Sequence, residues 1–269
     1  MDLGIKGKRA LVGASSKGLG RGCAEALAAA GVDLVLNGRG IEALEETAAA
    51  IRALYDVQVT TVAADITTED GVPADITTED GRARVLSAAG QVDILVTNAG
   101  GPPPGNWSDW SRADFIKAFD GNMLTPIALM QAMLPGMITK GWGRVVNITS
   151  AAVRAPIAEL GLSNTARAGL TGFVAGTSRQ VARYGIAINN LLPGIHATDR
   201  ATSLDKGVAA AQGITLDEAS TRRQNSIPAG RYGTAGEFGA TCAFLCSQHA
   251  GFIIGQNIML DGGSANITI

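Results

Sequence analysis

Apolar and polar positions along this chain fall into two alternating rhythms. Short apolar runs of strand length lie at residues 10–12, 33–37, 57–63, 92–97, 144–148 and 187–192. Between them the period changes to that of a helix. Leu19, Cys23, Ala26, Leu27 and Ala30 share one face, with Gly31 at the expected stop. Ile41, Leu44, Ala48 and Ile51 turn inward while Glu42, Glu45, Glu46 and Arg52 turn outward. Ser111-x-x-Asp114 reads as a capping box opening a long helix, whose stripe is Phe115, Phe119, Met123, Ile127, Met130 and Leu134.

The first strand, turn and helix matter most. Apolar residues 10–12 run into Gly13-Ala14-Ser15-Ser16-Lys17-Gly18-Leu19-Gly20 and then into the first helical pattern. Strand, glycine turn and helix begin a βαβ nucleotide-binding unit, in which glycines let main chain approach a pyrophosphate and the helix N-terminus offers it unpaired N–H groups. Gly13, Ser15, Ser16, Lys17, Gly18, Leu19 and Gly20 are therefore cofactor-binding candidates. Where a dinucleotide fold places an acidic residue for the ribose 2′-hydroxyl, the second strand ends in Asn37-Gly38-Arg39. Two cations, Lys17 and Arg39, suit a 2′-phosphate, so NADP(H) is expected over NAD(H).

The chain resembles the short-chain dehydrogenase/reductase family, including its 3-oxoacyl-acyl-carrier-protein reductase-like members. Gly18 and Gly20 match the family's Thr-Gly-x-x-x-Gly-x-Gly turn, while Gly13 and Ala14 stand for its Thr and first Gly, so some adjustment of the turn is expected. Asn98-Ala99-Gly100 matches its Asn-Asn-Ala-Gly, with Thr97 for the first Asn; Pro193-Gly194-Ile195-His196-Ala197-Thr198 matches its Pro-Gly-x-x-x-Thr, and Asp261-Gly262-Gly263 its closing motif. The resemblance implies a single-domain α/β Rossmann fold over residues 1–269, a doubly wound parallel sheet with helices on both faces. Residues of about 199–226, polar and weakly periodic, have the composition of a mobile substrate lid. The resemblance also implies that Asp65 lies beside the adenine, that Asn98, Ala99, Gly100, Pro193, Gly194, Ile195 and Thr198 border the cofactor, and that Asn122 and Ser150 are catalytic.

At one place the pattern fails. The family's catalytic Tyr-x-x-x-Lys falls thirteen residues after the serine, where this chain reads Ser163-Asn164-Thr165-Ala166-Arg167. The spacing keeps both residues on one helix face, but the chemistry differs. A serine hydroxyl is a far weaker acid than a phenol, whereas a guanidinium stays protonated and can still bond ribose hydroxyls, so the resemblance makes Arg167 a cofactor-binding candidate as well. Three readings compete: an NADP(H)-dependent reductase whose proton comes from His196, from a water held by Ser150, Ser163 and Asn122, or from the substrate; an NADP(H)-binding sensor or partner protein; and non-redox chemistry. The Gly-x-Ser-x-Gly turn of an α/β-hydrolase is absent. Ser150 and Asn122, both present, favour the reductase acting on a small molecule, and Ser163, Arg167 and His196 complete the candidate catalytic set.

Composition adds exclusions. In 269 residues the formal charge is −2, which gives no footprint for nucleic acid or an anionic membrane. No apolar run is long enough to span a bilayer, and a cytoplasmic setting is expected. Cys23, Cys242 and Cys246 read as buried thiols, and no metal site is expected. The octapeptide Ala-Asp-Ile-Thr-Thr-Glu-Asp-Gly occurs at 64–71 and again at 74–81, a local duplication in one loop in which Asp75 is placed to open the next helix. The stripe from Phe115 to Leu134, with the helix after Ser163, resembles the faces by which family members form homotetramers.

Overall fold

A computed structural model describes residues 1–63 and 76–268. Asp65, Asp75 and the first copy of the octapeptide lie outside the described residues.

Seven parallel strands form one sheet in the order β3-β2-β1-β4-β5-β6-β7 among the described residues. They are β1 (Arg9–Val12), β2 (Asp33–Gly38), β3 (Val59–Ala63), β4 (Ile94–Thr97), β5 (Gly143–Ile148), β6 (Ile186–Pro193) and β7 (Asn257–Leu260). Each expected strand is present, with ends shifted by up to two residues. The near-continuous burial of β1, β2, β4, β5 and β6 follows from helices covering both faces. One core joins α1 (Gly18–Ala29), α2 (Ile41–Leu54) and α9 (Ala235–Leu245) to the sheet; the opposite core joins α3 (Glu79–Ala89), α5 (Thr125–Lys140) and α6 (Gly161–Val181) to it.

Strand order reverses between β1 and β4, so the crevice beyond their carboxyl ends is where such sheets bind ligands. Three features of the chain refine the sequence reading. The long helix after Ser111 is two helices, α4 (Arg112–Phe119) and α5, joined by a π-helical turn at Asp120–Leu124. Residues 199–226 are ordered as α7 (Asp199–Gln212) and α8 (Leu216–Asn225), the latter opened by a Thr215–Glu218 capping box. Helix α3 is capped by Thr78, whose side chain accepts from the Gly81 amide.

All three cysteines are buried and unpaired, as expected. No described helix is long and apolar enough to cross a membrane.

Candidate active site

The glycine turn passes through left-handed backbone at position 14, where the family's pattern has glycine. Ala14 takes φ +45°, the one positive value at a non-glycine position among the described residues, and Gly18 follows at φ +56°. Ala14 thus accepts a left-handed conformation that costs an L-residue about 1–2 kcal/mol. Tight packing holds it there. A Cβ on Gly20 would strike the Ala14 carbonyl, and Asn98 Nδ2 donates to that same oxygen at 3.5 Å.

Around the turn, side chains divide by role. Ser15 is buried, with its amide and hydroxyl both donating to the Asn37 carbonyl, so it ties the turn to β2. Leu19 packs into the core and offers a ligand only its main chain. Lys17 caps α1 without a side-chain bond, and no acid stands in the helix's first turn. The first amides of α1 therefore keep their partial positive charge for an anion. Lys17 Nζ lies 3.6 Å from Asp199 Oδ2 at the start of α7, in an exposed pair, and a Cβ on Gly18 would sit 3.4 Å from Thr198 Cγ2. Thr198 thus borders the turn from the far side. Gly194 packs so closely on Asp261 that an added Cβ would lie 2.6 Å from its Cα, which fixes the bend after Pro193. Ile195 accepts from the Gly233 amide through its carbonyl. No acid stands at the end of β2, where Asn37 Nδ2 donates to the Val62 carbonyl and Arg39 is exposed.

Beyond the carboxyl ends of β4 and β5 lies the second half of the site. Ser150 opens a short 3₁₀ turn at Ala151–Val153, its Oγ accepting from the Ala152 amide at 3.1 Å. Helix α6 turns Ser163 and Arg167 toward β5, one helical turn apart; they are only 6 % and 7 % exposed. Arg167 Nε donates to Ser163 Oγ at 3.2 Å, and its Nη1 to the carbonyls of Ile148 at 2.8 Å and Thr149 at 3.0 Å. Nη2 reaches the Ala99 carbonyl at 3.4 Å. Burial, and then the charge of Arg200, push Arg167 down to about 10, so it remains a cation at neutral pH.

Asn122 sits in the π-helical turn, against which α6 packs. It is buried, and its Oδ1 has no hydrogen-bond partner among the described residues; the hydroxyls of Thr125 and Thr149 are buried in the same condition. Buried polar atoms without partners are rare, and π-turns recur at functional sites.

His196 is held apart from this group. Its ring meets Phe238 edge-on at 5.2 Å between centroids, Nδ1 lies 3.3 Å from the Gly194 carbonyl, and a Cβ on Gly233 would lie 2.7 Å from its Nε2. The ring packs against α9 and bonds none of Asn122, Ser150 or Ser163, and burial lowers its pKa. The structure therefore shows His196, one of the three proton sources considered, packed against Phe238 and Gly233. Two further groups border the site. Arg200 Nη1 donates to the Gly101 carbonyl at 3.4 Å, bringing a second cation to the stretch that Arg167 touches. Asp205, buried in α7, accepts from Tyr232 and pairs with Arg223 of α8 at 2.9 Å. Beside that pair a cavity of about 430 Å³ is bounded by Thr198, Asp205, Leu216, Ser220 and Tyr232.

A family model described as enoyl-(acyl carrier protein) reductase matches residues 13–265, which includes the glycine turn and the closing motif. The chain belongs to the short-chain dehydrogenase/reductases. Among the family's members, gluconate 5-dehydrogenase of Gluconobacter oxydans is 31 % identical over 96 % of this chain and 95 % of its own. The 3-oxoacyl-[acyl-carrier-protein] reductase of Aquifex aeolicus is 28 % identical over 98 % and 99 %. In structure, L-sorbose reductase from Gluconobacter frateurii, complexed with NADPH and L-sorbose, superposes with a TM-score of 0.89 at 26 % identity over the whole of both chains. The reductase family thus accounts for the sheet order and the glycine turn.

Proposed function

We propose that this protein is an NADP(H)-dependent oxidoreductase that moves hydride between the nicotinamide and a C=O, C=N or conjugated C=C bond of a small molecule, without a phenolic proton donor. The cofactor supplies the hydride; the chain supplies position and electrostatics. The residues present suit the dinucleotide. The left-handed turn at Ala14 and Gly18, the open first turn of α1, Thr198 beside Gly18 and the side chains of Lys17 and Arg39 are the groups that would hold it.

One observation carries the catalytic part. Ser150 and Ser163 each accept a hydrogen bond from the protein, from Ala152 N–H and from Arg167 Nε, and neither hydroxyl donates to an acceptor among the described residues. Each O–H is left to point at a ligand, and the guanidinium behind Ser163 makes its hydroxyl a stronger donor. Two such donors stabilise negative charge growing on a substrate oxygen as an oxyanion hole does. They do so without giving up a proton, which comes from water or the substrate. General acid help is worth about 10²–10⁴-fold, so its loss favours substrates that are activated in advance. Asn122, with its unbonded Oδ1, is a holder for water on that path.

The absence of a phenol also supports a second reading, a sensor that binds NADP(H) without turnover. We further assign α7 and α8 as the substrate lid, and the half-buried side chains of Phe115, Phe119, Met123 and Ile127 to a homotetramer interface. Wild-type NADPH oxidation against enones, imines and simple ketones tests the reading. Turnover of the activated substrates supports it; tight NADPH binding with no turnover of any of them replaces it with the sensor.

A further inference from the structure

Among the described residues Arg167 is a buried cation with no acidic partner. No described carboxylate lies within ion-pair distance of it, and every acceptor it uses is neutral: three main-chain carbonyls and the Ser163 hydroxyl. Removing a charge from water costs several kcal/mol, and neutral acceptors return only part of that. Of the two N–H groups on Nη2, one donates to Ala99 at 3.4 Å and the other has no acceptor among the described residues.

Arg200 adds to the same sign of charge. It forms no ion pair among the described residues, although Asp199 is its neighbour in sequence; Asp199 instead faces Lys17. The Arg200 guanidinium folds back onto the main chain of Gly101, two residues along from Ala99. A Cβ at position 101 would lie 2.6 Å from its Nη1, so the lack of a side chain there gives the guanidinium its place. Arg167 feels this second charge, which helps to lower its pKa. Two guanidinium groups thus address the Ala99–Gly101 stretch from α6 and α7, beside Ser163.

Building on the reductase reading, we propose that Arg167 and Arg200 together bind a carboxylate carried by the substrate close to its reducible bond. The substrate class is then a small oxo acid or unsaturated acid rather than a neutral ketone. A carboxylate accepts from guanidinium N–H groups in charge-assisted bonds about twice as strong as neutral ones, and it supplies the counter-charge both arginines lack. Arg167 contributes the buried donor. Arg200, at the first turn of α7, closes over the anion from the lid side, which makes it the specificity-determining residue.

The test uses oxamate, a carboxylate that cannot be reduced, and oxamide, its neutral counterpart, titrated calorimetrically into the protein with and without saturating NADP⁺. Oxamate is expected to bind in the presence of NADP⁺ at least about tenfold more tightly than oxamide. Arg200→Gln, an exposed position whose change leaves the core intact, should remove most of that difference while oxamide binding stays as it was. Equal affinity for the two probes, no oxamate binding in the millimolar range, or an unchanged preference in Arg200→Gln would each overturn the proposal. Oxamate binding that NADP⁺ abolishes would also overturn it, by assigning the arginines to a cofactor phosphate. Oxamate binding does not depend on turnover. A protein that binds it but oxidises no NADPH would lose the reductase reading and keep only the carboxylate site, whereas one that reduces neutral ketones as readily as oxo acids would keep the reductase reading and lose this proposal.

Discussion

Arg167 Nε donates to Ser163 Oγ at 3.2 Å, across one turn of α6. The contact turns two separate replacements into one unit. The guanidinium spends Nη1 on the carbonyl ends of β5 and Nε on the hydroxyl, so it both pins the site and polarises the serine. A lysine has neither the planar fork nor the reach in two directions to do both.

Strain at Ala14 predicts a stabilising change. Ala14→Gly should raise stability by about 0.5–1 kcal/mol, the relieved φ strain less the added freedom of the unfolded chain. In a chain of this size that is about 1–4 °C in thermal midpoint. Calorimetry checks it, and an unchanged or lower midpoint would mean that position 14 is not strained.

Cofactor choice should rest on charge. NADPH should bind more tightly than NADH, and Lys17→Ala with Arg39→Ala should abolish most of the difference. Added salt should reduce the preference, because both side chains are exposed. Asp199→Asn should strengthen NADPH binding modestly, since the carboxylate lies 3.6 Å from Lys17 Nζ. Fluorescence titration at two ionic strengths decides these points.

The start of α9 carries a pH signature. Glu237 accepts from Arg231 and from Thr234, and these bonds pull its pKa from 4.5 to about 2. Its folded value is depressed, so the stability it adds is present above about pH 4.5 and is lost as pH falls toward 2. Glu237→Gln should lower the thermal midpoint at neutral pH, and the gap from wild type should narrow across that window. A gap independent of pH would show that the charge is not what matters.

Asp205 should be the lid's anchor. It is 2 % exposed and holds both Arg223 and Tyr232. Asp205→Ala takes the acid from the half-buried Arg223 guanidinium and one partner from the Tyr232 hydroxyl, a loss of about 1–3 kcal/mol. Hydrogen exchange should speed up across α7 and α8 and stay slow in β4 and β5. Uniform acceleration would mean that the lid is not a separate unit.

Much of this was legible in the sequence because period and turn chemistry act locally. The strands, the glycine turn and the Ser163/Arg167 substitution could be read directly. The π-turn could not, since Phe119, Met123 and Ile127 keep a helical stripe through it and the wider turn leaves no mark in the pattern. Helices α7 and α8 read only as a weakly periodic stretch because they bury only Ala201, Asp205 and Ala219, so no apolar face advertises them. His196 and Arg200 depend on what packs opposite them, Phe238 and Gly101, far away in the chain. Ala14 was read as a lost glycine, whereas the fold keeps left-handed backbone at that position.

The central claim is hydride transfer assisted by hydroxyl donors and a fixed cation instead of a phenol. Its most direct test is the ratio of single-turnover NADPH oxidation rates with an enone and with the matching saturated ketone, in wild type and in Ser163→Tyr/Arg167→Lys. The wild type should favour the enone strongly, and the double variant should raise the ketone rate by about 10²-fold or more, the worth of a general acid. Arg167→Lys alone should not raise it. A wild type that reduces the ketone as fast as the enone, with that rate collapsing in Ser163→Ala, would contradict the account by showing that serine itself delivers the proton.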